Sequence, residues 1–70
     1  MKRIWISDFK KNPSLVEGLQ VITLLVPYGE DDNGLIDHML KLGFKHTSTQ
    51  FVGPDLMDTE QHFRKTQNDN

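Results

Sequence analysis

The sequence predicts a small two-layer α+β domain, with helices packed on a three-stranded sheet. Residues 21–26 read Val-Ile-Thr-Leu-Leu-Val, an apolar run too continuous for a strand with one face in water. We therefore expect a central strand at about residues 20–26, covered on both faces. The apolar residues of the next segment recur with helical spacing, which predicts a helix at about 32–42.

Size and composition indicate one globular unit. The chain has 70 residues, with 36% hydrophobic and 26% charged, so we expect a single compact domain over 1–65 and a frayed tail at 66–70. Cysteine is absent, which excludes disulfides and thiolate metal sites. No apolar run is long enough for a signal-peptide core or a membrane span, so we expect a soluble, cytoplasmic protein without membrane contact.

The N-terminal segment predicts a strand followed by a short helix. Lys2 to Phe9 alternates, with Ile4 and Ile6 on one face and Trp5 on the other. Asn12 and Pro13 are typical of the first positions of a helix. Because the connection to the second strand is short, we expect the two strands to be antiparallel or not adjacent.

The middle of the chain carries the clearest helix signals. Pro27 ends the second strand, and Asp31 or Asp32 can cap the helix that follows. Gly43 stands where a left-handed C-cap belongs. The predicted apolar stripe consists of Leu35, Ile36, Met39 and Leu40, with Leu42 at its edge.

The last third predicts a strand and a second helix. Residues 44–52 are polar and rich in Thr, which is typical of an edge strand. Phe44 and Phe51 fall out of phase unless a bulge lies near Ser48. Asp58 and Gln61 match a capping box, which predicts a helix at about 58–65 that packs Leu56, Met57 and Phe63 on the sheet.

No motif in the sequence indicates catalysis, a cofactor or a metal. The acidic turn does not match an EF-hand calcium loop. Gly29 and Leu40 occupy the first and twelfth positions, where the loop requires side-chain oxygen ligands. The spacing of His38, His46 and His62 matches no zinc pattern. Two residues apart on a strand, Ser48 and His46 would share a face, but no nucleophile elbow or phosphate loop accompanies them. We therefore expect a protein that is not an enzyme.

The charge distribution favours binding to another macromolecule. The net charge is −2, and residues 12–40 hold five acidic residues without a Lys or Arg. Such a block can steer a protein towards a basic partner, and the polar edge strand can accept a strand from a partner or from a second copy in a homodimer. We expect an interaction or regulatory protein, such as an inhibitor, adaptor or phage- or plasmid-type accessory protein. Its candidate protein-binding residues are Glu30, Asp31, Asp32, Asp37, Thr47 and Thr49.

The alternative is nucleic-acid binding through the N-terminus. Cations there interleave with aromatic residues, a combination that serves backbone contact and base stacking. The candidate residues are Lys2, Arg3, Trp5, Lys10 and Lys11. Lys45 would extend this patch if the strand order allowed it. The net negative charge makes this alternative the weaker one.

Overall fold

The computed structural model describes residues 2–66 and confirms a small α+β fold. The elements are β1 (Lys2–Trp5), α1 (Ile6–Lys11), a 3₁₀ turn (Pro13–Val16), β2 (Val21–Val26), α2 (Leu35–Lys41), β3 (Phe44–Val52) and β4 (Asp58–Lys65). The strands form one mixed sheet in the order β1-β2-β4-β3. β1 runs parallel to β2, and β4 runs antiparallel to both β2 and β3. Buried residues of both helices join those of the strands in one core, so the helices lie on one face of the sheet.

The predicted C-terminal helix is wrong, and the sheet has four strands instead of three. Residues 58–65 form β4, which lies between β2 and β3 and completes a ladder with each. Phe63 pairs with Ile22 and is 1% exposed. The Asp58–Gln61 capping pattern is only a local preference, and two ladders of backbone hydrogen bonds together with the burial of Phe63 override it.

β2 is confirmed as a strand in the interior of the sheet, but only one of its faces is covered by helices. Ile22, Leu24 and Val26 enter the core on the helix side. Within residues 2–66, no helix packs on the other face. Thr23 is nevertheless only 1% exposed there, because side chains of the neighbouring strands surround it. The expectation of two covered faces is therefore wrong.

The N-terminal strand is shorter than predicted, and its direction differs from the prediction. The chain leaves β1 after Trp5, and Ile6 and Phe9 then enter the core from α1 with helical spacing. The connection over residues 6–20 contains α1 and the 3₁₀ turn. It is long enough to return the chain to the end of the sheet where β1 starts, so that β2 can pair parallel to β1. Pro13 does begin a helical turn, but the Asn12 side chain makes no cap hydrogen bond.

α2 is confirmed, although it is shorter than 32–42 and differs in two details. Gly34 occupies the N-cap position with φ of 75°, and neither Asp31 nor Asp32 caps the helix through its side chain. Leu35 and Met39 are buried, whereas Ile36 and Leu40 are exposed. The side of α2 that carries His38 faces α1, and the centroid of the His38 ring lies 5.3 Å from that of the Phe9 ring.

The end of α2 and the following strand agree with the sequence. Gly43 has φ of 94°, as the predicted C-cap requires. β3 has the predicted bounds and lies at the edge of the sheet, and its register shifts between His46 and Ser48, which confirms the bulge.

The predicted frayed tail falls almost entirely outside the described residues. Thr66 is described, and its backbone N–H donates a hydrogen bond to the Gly43 carbonyl. Between residues 2 and 66, no helix is both long enough and apolar enough to cross a membrane.

Candidate functional site

The sheet face opposite the helices is the main surface that the sequence did not reveal. We call it the open face. The strand registers place on it Arg3, Trp5, Val21, Thr23, Leu25, Lys45, Ser48, Gln50, Val52, Asp58, Glu60, His62 and Arg64. Interpreting 58–65 as a helix concealed this surface. The alternation of Glu60, His62 and Arg64 with Gln61 and Phe63 was the signal that could have found it.

A polar network crosses the middle of the open face. The Thr23 hydroxyl lies 3.0 Å from His62 Nδ1, and His62 Nε2 lies 3.5 Å from Glu60 Oε1. The other Glu60 oxygen accepts a hydrogen bond from the Arg3 guanidinium. A hydroxyl, an imidazole and a carboxylate in series resemble a nucleophile with its base. Because Thr23 is 1% exposed, its hydroxyl is closed to a substrate, and the network ties β1, β4 and β2 together.

Large apolar side chains gather where β1 and β2 end and the β3–β4 hairpin turns. We call this region the apolar end. Its exposed members are Trp5 (53%), Tyr28 (71%), Phe51 (62%), Leu56 (63%) and Met57 (50%). Leu56 has a φ of 56°, a left-handed conformation that costs a non-glycine residue about 1–2 kcal/mol. The hairpin turn therefore holds an apolar side chain in solvent at an energetic cost.

Part of the apolar end forms a shallow pocket that other contacts hold in place. Its volume is about 250 Å³, and Trp5, Leu25, Pro27 and Val52 line it together with Arg3 and Asp58. The Tyr28 backbone N–H donates a 2.8 Å hydrogen bond to Asp58 Oδ1, which fixes the loop after β2 against the start of β4.

The predicted acidic residues border this region. Glu30, Asp31 and Asp32 lie in the exposed loop that follows Tyr28, and Asp31 Oδ1 accepts a hydrogen bond from the Asn33 N–H. Asp32 and Asp37 line a depression of about 310 Å³ beside the start of α2. Among residues 2–66, Lys10 is the basic residue that contacts the loop: its ammonium donates to the Asp31 carbonyl and lies 3.9 Å from the Glu30 carboxylate.

The two threonines predicted to bind protein have separate surroundings. The Thr47 hydroxyl donates to the His62 carbonyl at the bulge. On the helix side, the Thr49 hydroxyl donates to Gln61 Oε1 over 2.6 Å, and His46 Nε2 lies 2.8 Å from the same oxygen.

The bulge also separates Ser48 from His46. Ser48 pairs with His62 on the open face, whereas His46 pairs with Phe63 on the helix face. The expectation that Ser48 and His46 share a face is therefore wrong, because one extra residue lies between them.

The structure divides the residues of the nucleic-acid alternative between two faces. Arg3 and Trp5 lie on the open face, whereas Lys2 pairs with Ile22 on the helix side and Lys10 and Lys11 belong to α1. Lys45 is at the opposite edge of the sheet from β1. These cations therefore do not form one continuous patch.

In the described part of the chain, no three His, Cys, Asp or Glu side chains are grouped so that they could hold a metal ion. The chain matches no protein-family model, and neither a curated protein nor a solved structure is significantly similar to it.

Proposed function

We propose that this protein is a non-enzymatic binding module that docks a protein partner on its apolar end. In this proposal the partner presents an apolar patch bordered by basic side chains. The module would act in the cytoplasm as an inhibitor, adaptor or accessory protein. The observation that carries the proposal is the group of exposed aromatic and aliphatic side chains at one end of the sheet.

The residue types at the apolar end are those that dominate protein interfaces. Trp, Tyr and Arg are enriched among the residues whose truncation weakens binding most, and Trp5, Tyr28 and Arg3 are all present here. Several large exposed apolar side chains at one end of a small domain are typical of an interaction site. Burial of these apolar side chains against a partner would favour binding, because it removes apolar surface from water.

The contacts beneath these side chains support preorganisation of the site. Arg3 is held by Glu60, and the Tyr28 loop is held by Asp58. A surface that is already ordered loses less conformational entropy when it binds.

The acidic border supports a basic partner. Glu30, Asp31 and Asp32 are exposed, and Lys10 is the one described cation that pairs with this loop. Complementary charge around an interface raises the association rate and helps to select the partner.

The test is capture from the native host by the wild-type chain, followed by quantitative binding to the purified partner. Trp5 is the only tryptophan, so its fluorescence reports directly on the apolar end. We expect a blue shift on binding, and at least about tenfold weaker binding for Trp5→Ala and Tyr28→Ala. Leu40→Ala is the matched control, because Leu40 is equally exposed but lies on α2. Equal affinities for all three variants would reject the proposal.

Charge reversal tests the acidic border separately. We expect Asp31→Lys with Asp32→Lys to slow association with the same partner and to reduce its dependence on salt. A salt dependence identical to that of the wild type would show that the loop takes no part in binding.

Nucleic-acid binding is a second candidate, because Arg3 and Trp5 are neighbours on the open face. It predicts a mobility shift of a single-stranded oligonucleotide that weakens steeply with salt and with Arg3→Gln or Trp5→Ala. Unchanged migration at low salt would exclude it.

We also propose that two copies of the chain can associate along β3. This strand is an edge of the sheet, and within residues 2–66 no other strand pairs with its outer side, where a second copy could pair. It predicts a dimer mass by light scattering at micromolar concentration, and a monomer mass would exclude it.

A further inference from the structure

The end of the open face farthest from the apolar end carries two cations directly opposite each other. Lys45 on β3 pairs with Arg64 on β4, and both side chains are exposed. Like charges at directly opposed positions of adjacent strands are destabilising. Among residues 2–66, no carboxylate forms an ion pair with either side chain.

The two cations line a pocket that has no acidic residue among the described residues that form it. Its volume is about 500 Å³, and it is lined by Gln20, Val21, Lys45, Thr47, Arg64, Lys65 and Thr66. The Lys65 ammonium is engaged on the helix side, where it lies 5.0 Å from the Phe44 ring centroid. The nearby Glu17 lines a different pocket with Lys65 and Phe44 on that helix side. Among the described residues, Lys45 and Arg64 therefore bring two positive charges to the pocket on the open face.

We propose that this pocket binds a phosphate group, held between Arg64 and Lys45. A guanidinium can donate two parallel hydrogen bonds to a phosphate, and the lysine ammonium adds a point charge. An anionic phosphate group between the two side chains would also offset their mutual repulsion. Thr66 and Gln20 line the same pocket, and their side chains carry neutral hydrogen-bond donors. The phosphate group is carried either by a small phosphomonoester or by a polynucleotide backbone.

The site is tested by amide NMR titration of the full chain with inorganic phosphate, with ionic strength held constant by NaCl. We expect saturable shifts confined to residues 45–47 and 64–66. The affinity should fall about tenfold in Lys45→Gln and in Arg64→Gln, and also in Arg64→Lys, because the last keeps the charge but loses the paired hydrogen bonds. The control is Lys2→Gln, which removes the same charge from the helix side of the sheet. It should bind phosphate as the wild type does.

Thermal unfolding gives a second, independent measurement. Without phosphate, Lys45→Gln should melt at a higher temperature than the wild type, because the cross-strand repulsion is gone. Addition of phosphate should stabilise the wild type more than this variant. Shifts that do not saturate, or an equal response of wild type, Lys45→Gln and Lys2→Gln, would overturn the proposal.

Two further titrations identify the source of the phosphate group. Adenosine monophosphate represents the monoesters, and a ten-residue single-stranded oligodeoxynucleotide represents the backbone. A small-molecule site predicts that the monoester binds more tightly than the oligonucleotide at equal phosphate concentration, and a backbone site predicts the reverse. In both cases binding must depend on Arg64. If neither probe binds, the assignment is overturned.

Discussion

The Thr23 hydroxyl and His62 Nδ1 lie 3.0 Å apart on a sheet face that no helix of the described chain covers. A polar side chain that is 1% exposed on such a face is unusual, because burial normally requires a second layer. Here side chains of the neighbouring strands shield Thr23 from water. The hydrogen bond to His62 gives the buried Thr23 hydroxyl a partner in place of water.

This relationship predicts that Thr23→Val lowers the free energy of unfolding by about 1 kcal/mol. The substitution keeps the volume of the side chain and removes the hydroxyl, so that His62 loses this hydrogen-bond partner. Urea unfolding measures the change. Thr59→Val is the control, because the structure gives the half-buried Thr59 side chain no hydrogen bond, and it should change the midpoint little. Equal midpoints for both variants would contradict the prediction.

The different burial of Phe63 and Phe51 predicts opposite outcomes for two phenylalanines. Phe63 is 1% exposed, and Phe63→Ala should cost about 3–5 kcal/mol because it leaves a cavity in the core. That loss is comparable to the whole stability of a domain of this size, so the variant should be largely unfolded by circular dichroism. Phe51→Ala makes the same change at a side chain that is 62% exposed, and it should stay within about 0.5 kcal/mol of the wild type. A folded Phe63→Ala protein would contradict the burial of Phe63 in the core.

The different success of the sequence predictions has a physical explanation. β2, α2 and β3 were predictable because their signals are local: a continuous apolar run, helical spacing with a glycine stop, and a polar Thr-rich segment. β4 was missed because it contains only one buried apolar residue, Phe63, and its capping pattern favours a helix. Its strand conformation depends on pairing with both β2 and β3, which a local pattern cannot reveal.

The candidate site depends on the same missed strand. Glu60, His62 and Arg64 lie on the open face because they alternate along β4. None of them was among the predicted site residues, because residues 58–65 were predicted to form a helix. The acidic loop could be predicted from its composition alone. Its position beside Lys10 could not, because that contact depends on how the chain returns between strands.

The close approach of Gly53 to Asp58 predicts a loss that exceeds the cost of backbone strain. Gly53 has φ of 92°, and a Cβ added there would lie 2.9 Å from Asp58 Oδ2. Gly29 has φ of 88° with nothing within 4 Å, so Gly29→Ala measures the strain alone. Gly53→Ala should therefore cost about 1 kcal/mol more than Gly29→Ala in urea unfolding, because Asp58 must move. It should also weaken the hydrogen bond to the Tyr28 N–H, which amide exchange at Tyr28 would detect. Equal costs for the two variants would show that Asp58 moves freely.

The ion pair of Arg3 and Glu60 predicts a measurable coupling energy, because the two side chains differ in exposure. The Arg3 side chain is 59% exposed, whereas that of Glu60 is 12% exposed. Among the described residues, loss of Arg3 leaves the mostly buried Glu60 carboxylate with the His62 imidazole as its remaining partner, while removal of both charges leaves no such group. A double-mutant cycle with Arg3→Gln and Glu60→Gln should therefore give a coupling of about 0.5–1 kcal/mol at low salt, and less in 1 M NaCl. The same cycle with Lys10→Gln and Glu30→Gln is the control. Those side chains are 45% and 38% exposed and 3.9 Å apart, so their coupling should be close to zero. Additive effects in the first cycle would mean that the pair does not hold β1 to β4.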